Sequence, residues 1–158
     1  MAKGYWLMKS EPDVFSIDDL AKVEREPWDG IRNYQARNFM RDTMRVGDGV
    51  LFYHSNGGKL GTGIVGVADV VSEGYADYTA WDAESKYFDG KASEANPIWV
   101  MVDVRFVEKF DEILTLSDLK GNAELSGMLV VRRGQRLSIQ PVDEEDFARV
   151  LKLGRGKG

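Results

Sequence analysis

The sequence predicts an α+β fold, a curved and mainly antiparallel β-sheet with short helices between its strands. Three observations predict it. About five apolar or alternating runs read as strands, the helical patterns between them are short, and no regular βαβ alternation connects them. Glycines 61, 63 and 66 fall within or beside one strand run, where a missing side chain marks a bulge, a bend or a close backbone approach. Closure towards a small barrel is the usual way for such a sheet to protect its edges.

Each element has its own signal. Tyr5-Trp6-Leu7-Met8 is a buried strand that ends in the turn Lys9-Ser10-Glu11-Pro12. Ser16 caps a short helix with Asp19 three residues on, and Ile17, Leu20, Ala21 and Val23 give it one apolar side. Glu26-Pro27 ends that helix, because the residue before a proline avoids helical angles. A second helix covers about residues 33 to 44, with Asn33 as its cap and Ala36, Phe39, Met40 and Thr43 as its inner stripe. After the Gly47-Asp48-Gly49 turn, Val50 to His54 is apolar enough to be buried on both faces. A flexible Ser55-Asn56-Gly57-Gly58 loop leads to a strand over residues 62 to 71.

From Ser72 the chain is irregular, but Tyr75, Tyr78, Trp81, Tyr87 and Phe88 argue for a packed loop rather than disorder. Residues 98 to 107, Trp99 included, carry the longest strand signal, alternating in its later half. Thr115 or Ser117 opens a helical turn, Leu125 to Val131 is apolar, and Arg136 to Val142 alternates as a strand. Asp143 and the acids after it start a last helix, docked by Phe147, Val150 and Leu151 and ended by Gly154. Residues 1–154 thus form one domain, and 155–158 a frayed basic tail.

The 158 residues can bury roughly two-thirds of their unfolded surface, enough for one proper core. The absence of cysteine excludes disulfides, thiolate metal sites and cysteine nucleophiles, and suits a reducing compartment. No apolar run approaches the roughly 20 residues that cross a bilayer, and the N-terminus shows no apolar signal region. A cytoplasmic protein without a membrane partner is expected, its oligomeric state open and a monomer favoured. The net charge of −5 resides entirely in residues 69 to 94, and the rest of the chain balances. Two basic patches remain, Arg32, Arg37, Arg41 and Arg45 in one, Arg132, Arg133 and Arg136 in the other, and either can steer a phosphate. Solvated arginines pairing with acids elsewhere account for them equally well.

Catalytic signatures are weak. The one histidine, His54, excludes a histidine-built metal site, and no set of carboxylates has convincing spacing. Ser10 and Ser55 lie outside any Gly-x-Ser-x-Gly elbow, and the glycine-rich run from Gly57 to Gly63 fits no phosphate-loop spacing. Neither a cofactor nor a metal is implied. Glu11 and His54 are the residues left for acid–base work, and His54 is expected to be structural, hydrogen-bonded at the end of its strand.

The chain does offer aromatic rings beside small polar groups: Trp6 with Ser10, Trp28 with Asn33, Tyr53 with Ser55, and Trp99 after Pro97. A planar ligand held by stacking and read at its edge needs those ingredients. The organising stretch is Pro27 to Asn38, where Gly30 permits a turn that sets an aromatic, an arginine and an amide beside a helix start. Its polar neighbours predict a partly exposed Trp28 ring, although core packing is the commoner role of any single tryptophan.

Several runs resemble the EVE domain family: Tyr5 to Pro12, Trp28 to Asn38, Gly47-Asp48 with Phe52 to Asn56, Pro97 to Val104, and Arg136 to Val142. The resemblance covers nearly the whole chain. It implies a PUA-like fold, a curved β pseudo-barrel with flanking helices related to the YTH readers of methylated adenine. It also implies a non-catalytic reader of a modified base, notably a modified cytosine, in DNA or RNA. By motif, Lys9 and Ser10 match the turn lining the YTH base pocket, and Trp28 matches one wall of its cage. The second wall falls to Trp81 or Trp99, and Tyr53, His54 and Ser55 form a family signature. The expected base-binding set is therefore Lys9, Ser10, Trp28, Asn33, Tyr53, Ser55, Trp81 and Trp99, with Lys9, Arg32, Arg37 and Arg41 on phosphate. The rival readings are a small enzyme acting on a nucleotide or modified base through Glu11 or His54, and a protein-interaction module.

Overall fold

A computed structural model describes residues 3–58 and 61–156. The ends of the chain, including Met1, Ala2, Lys157 and Gly158, and Lys59 and Leu60 of the glycine-rich run lie outside the described residues. In order, the elements are β1 (Tyr5–Ser10), α1 (Ile17–Val23), β2 (Arg25–Pro27), α2 (Tyr34–Asn38), β3 (Gly49–His54), β4 (Gly63–Val70), β5 (Tyr75–Ala76), β6 (Val100–Met101), β7 (Asp103–Thr115), α3 (Leu116–Lys120), β8 (Ile139–Pro141) and α4 (Glu144–Arg155).

Six strands form one curled half-barrel sheet in the order β2-β7-β4-β3-β1-β8. Only β1 and β3 run parallel; every other pairing in the sheet is antiparallel. The sheet does not close, since β2 and β8 are its edges. Both edges are three residues long, and β2 ends in Pro27, so little unpaired backbone is presented to another chain.

The alternation of side chains across the pleat builds two cores. Trp6, Met8, Val50 and Phe52 face one core with Ile17, Leu20, Trp28 and Met40. Leu7, Leu51 and Tyr53 face the other with Phe110, Leu114, Phe147 and Val150. Burial of β3 on both faces follows, and all six of its residues are buried. At Gly66 a side chain would lie 2.4 Å from the Glu108 carbonyl oxygen, and the β4–β7 register shifts beside it. The glycine thus marks a close backbone approach.

Several elements differ from their sequence signals. Glu26-Pro27 does not end α1; the helix stops at Val23, and Arg25–Pro27 pairs with β7 as an edge strand. The second helix widens partway: α2 covers Tyr34–Asn38, and Phe39–Thr43 continue as a π-helix. The strand signal over residues 98 to 107 starts late and splits: Ile98 adopts a φ of 60° and Trp99 donates its N–H to the Pro97 carbonyl, and beyond them β6 pairs with β5 whereas β7 joins the main sheet. Beyond it β7 runs on to Thr115, its charged residues 108, 109, 111 and 112 hiding a strand whose Phe110 and Leu114 reach the second core. Residues 136 to 138 stay outside β8, and α4 passes through Gly154 to Arg155. Gly154 lies against the Phe110 ring and Arg155 pairs with Glu108, so Arg155 belongs to the helix rather than to a frayed tail.

Ser72 to Val100 is a packed excursion, with Trp99, Ala80 and Ala92 as a third small core under Trp81 and Ile98.

Candidate nucleic-acid interface

Trp28 follows β2 directly and donates its N–H to the Val102 carbonyl at 2.7 Å, extending the edge pairing by one residue. That register sends the indole inward. It is 7% exposed and meets Phe52 edge-on, with ring centroids 5.5 Å apart. The partly exposed ring expected from its polar neighbours is therefore corrected. Asp29 takes the outward position at the turn.

The turn is held from across the molecule. Gly30, at φ 78°, donates its N–H to Asp77 Oδ2 at 2.9 Å. Arg32 Nη1 donates to the same oxygen at 3.0 Å, while Nε and Nη2 donate to the Tyr87 carbonyl at 3.0 and 2.6 Å. Asp77 is wholly buried and also accepts from the Thr79 N–H at 3.0 Å. Sequence reasoning missed Asp77; its only signal is an Asp two residues before Thr79, where it caps the 3-10 turn Tyr78–Trp81.

Beside this turn opens a cleft of about 480 Å³, inside the roughly 300–1,000 Å³ typical of small-ligand sites. Its lining comes from four places: Lys9 and Ser10 at the end of β1 with Glu11, Val14 and Phe15 after it; Glu26 to Ile31; Lys86 and Tyr87 from the excursion; and Ser138 before β8. Lys9, Ser10 and Trp28 thus meet at one cleft. Tyr87 joins Phe15 and Trp28 as the third aromatic there, and it packs where Gly30 lacks a side chain, because a Cβ would sit 2.6 Å from its ring. The sequence showed Tyr87 only as one aromatic among five in the acidic segment.

The polar groups of the cleft lean towards accepting. Ser10 Oγ donates to the Phe15 carbonyl, which leaves its lone pairs for a ligand. Burial holds the carboxyl of Glu26 above its usual range, helped by Asp29 and Asp103. Burial and then Asp77 do the same for Asp29. Lys9 and Lys86 supply the opposite charge, and burial lowers the Lys9 amine.

The other expected residues are placed elsewhere. Asn33 spends its side chain on capping, accepting the Ala36 N–H at 3.0 Å, and is absent from the cleft lining. Ser55 is also absent; its N–H donates to the Ser10 carbonyl. Tyr53 lies on the other face of β3, in the second core. Neither Trp81 nor Trp99 reaches the cleft: Trp99 stacks on Tyr34 at 4.8 Å and donates from Nε1 to Asp89 at 2.7 Å. The guanidinium of Arg37 caps that stack, 4.9 Å from the Tyr34 ring, and donates to the Ile98 carbonyl. Arg41 is forked onto Asp42 at 2.8 and 2.9 Å. The arginines expected on phosphate therefore already hold protein acceptors.

The acid–base candidates are engaged too. His54, 5% exposed, accepts the Ile17 N–H on Nε2 at 3.1 Å, so its proton sits on Nδ1. Burial pushes its imidazole below the ordinary value. Glu11 accepts from Asn56 Nδ2 at 2.9 Å. Among the described residues no helix is long and apolar enough to cross a membrane, and no three metal-ligating side chains cluster.

Comparison with known proteins follows the same outline. The EVE domain model matches residues 4–153. Thymocyte nuclear protein 1 from Homo sapiens is 40% identical over 169 residues, covering 95% of this chain and 73% of that protein. A hypothetical protein from Leishmania major superimposes with a TM-score of 0.92 at 49% identity, over 99% of this chain and 97% of its own. The crystal structure of the human thymocyte protein in complex with DNA containing 5-methylcytosine superimposes with a TM-score of 0.88 at 40% identity, over 96% of this chain and 98% of its own.

Proposed function

The chain belongs to the EVE domain family, and on that premise we propose that it is a non-catalytic reader of DNA carrying a modified cytosine, whose base enters the cleft between Trp28 and Tyr87. The observation that supports this most is the human relative's complex with 5-methylcytosine DNA, on a fold that matches nearly all of this chain. The local chemistry agrees with it. A cytosine presents an exocyclic amino group, a donor that carboxylates accept well, and Ser10, Glu26 and Asp29 offer acceptors in the cleft. Trp28 gives the apolar floor and Tyr87 a half-buried ring across the turn.

Binding rather than turnover fits the same groups. His54 is occupied as a helix-end acceptor and is absent from the cleft lining, while Glu11 lines the cleft with one carboxylate oxygen held by Asn56. Trp28 sits in the core, but the cleft that opens beside it favours a base site over a protein-interaction module. The cytoplasm is the location we propose.

The test is fluorescence anisotropy on matched oligonucleotides bearing cytosine or 5-methylcytosine at one position, in DNA and in RNA. The reading expects tighter binding to the methylated DNA, and no change of the modified base on prolonged incubation. Equal affinity for both bases would overturn it.

A further inference from the structure

Lys9 lines two hollows. One is the cleft; the other, of about 810 Å³, lies on the second face of the sheet with Tyr53 in its wall. The two differ sharply in charge. The cleft mixes Lys9 and Lys86 with Glu11, Glu26 and Asp29. The second hollow is lined by four cations, Lys9, Lys120, Arg132 and Arg133, and no lining residue is acidic.

Arg132 and Arg133 are exposed, and among the described residues neither they nor Lys120 nor Lys9 forms an ion pair. Arg32 and Arg41, by contrast, are ion-paired, and Arg37 is spent on Asn38 and the Ile98 carbonyl. Four cations facing a concave surface without counter-charge repel one another, which a bound polyanion relieves. A protein of net charge −5 gains no general affinity for nucleic acid, so the attraction is confined to this hollow.

We propose that the hollow is a track for the phosphodiester backbone of the DNA strand whose base occupies the cleft, with Lys9 at the junction. The inference rests on the reading of the cleft as a base site. A base leaving its stack draws its own backbone to the mouth of the pocket, and Lys9 is the residue shared by pocket and track. Its ammonium lies 5.6 Å from the centroid of the buried Tyr53 ring, which holds the cation at the wall of the hollow. Lys120 and the Arg132–Arg133 pair come from α3 and the loop before β8, so the charge is spread along a strand rather than gathered on one phosphate.

The experiment compares the wild type with Arg132→Gln/Arg133→Gln and with Arg41→Gln, on a single-stranded DNA 12-mer with central cytosine or 5-methylcytosine, across a salt series. Both arginines are exposed, and retained melting temperature checks the fold. The double variant is expected to flatten the plot of log affinity against log salt by about 1.4, at about 0.7 per lost single-strand phosphate contact. It should weaken methylated and unmethylated strands equally, and Arg41→Gln should change little. An unchanged slope in the double variant, with methyl preference intact, overturns the track and leaves the cleft reading standing. A flattened slope in a protein that never preferred the methylated strand supports the track and removes the base site.

Discussion

The buried carboxylate of Asp77 and the guanidinium of Arg32, 3.0 Å apart, tie the Trp28 turn to the acidic excursion. Arg32 is about a quarter exposed on its side chain and Asp77 not at all, so removing the arginine leaves a charge without its partner in a dry site. Breaking such a pair costs about 3–5 kcal/mol. Arg32→Gln should therefore lower the free energy of unfolding by roughly 3 kcal/mol in a denaturant titration, while the salt dependence of DNA binding stays as in the wild type. A variant of full stability with a flatter salt plot would return Arg32 to phosphate contact.

His54 offers a pH signature. Its Nε2 accepts the Ile17 N–H at 3.1 Å only while unprotonated. Burial is the main cause holding its pKa below 6.5, with Lys109 acting the same way and Asp18 and Asp19 opposing. Above pH 6.5 the imidazole is neutral folded and unfolded, and its full contribution is present. As pH falls below 6.5 the unfolded chain takes up a proton that the native state refuses, so stability drops. The drop ends once pH passes below the folded pKa. His54→Gln supplies an amide oxygen to the Ile17 N–H and no titration. Denaturant curves between pH 6.5 and about 5 should fall less steeply for this variant, and its DNA affinity should stay within a few-fold. Parallel curves for the two proteins would contradict the assignment.

Much of the fold was legible because its signals are local. Ser16 and Asp19 form the capping box that their spacing announced, and Val50 to His54 is as buried as its unbroken apolar run required. The losses came where one residue answers to a distant one. Trp28 has polar neighbours in sequence, yet its N–H pairs with Val102 across β2 and β7, and that pairing decides where the ring goes. Arg32 and Arg37 read as phosphate contacts because Asp77, Tyr87 and Ile98, their acceptors, lie some 45 to 61 positions away. Lys9, Ser10 and Trp28 line one cleft, whereas Tyr87 reaches it through a long excursion with no periodicity to follow.

Gly30 and Tyr87 should behave as one unit. An alanine at 30 would place its Cβ 2.6 Å from the ring and hold a φ of 78° that L-residues avoid. Backbone strain of this kind costs on the order of 1–3 kcal/mol, and displacing the ring adds to it. Gly30→Ala is expected to destabilise the protein and weaken binding to methylated DNA. In a double-mutant cycle with Tyr87→Ala the clash disappears, so the pair should cost less stability than the sum of the two single changes. Strict additivity would show that the ring does not rest on this glycine.

The core packing of Trp28 and its proposed contact with a base cannot be separated by a single alanine. With 7% of its surface exposed and Phe52 against it, truncation empties core volume and should cost about 3–5 kcal/mol of stability. The melting temperature of Trp28→Ala must then fall whether or not the residue touches a base. Trp28→Leu is the informative change, because it keeps an apolar body in the core and removes the π-face. Stacking of a base on an aromatic ring is worth about 1–3 kcal/mol, or roughly 5- to 150-fold in affinity. Measured where near-ultraviolet circular dichroism confirms a folded protein, Trp28→Leu should lose affinity for the methylated strand within that range. The unmethylated strand, held mainly through its backbone, should weaken less, so the preference between the two narrows. A folded leucine variant that keeps the wild-type preference would confine Trp28 to the core and leave Tyr87 as the ring that meets the base.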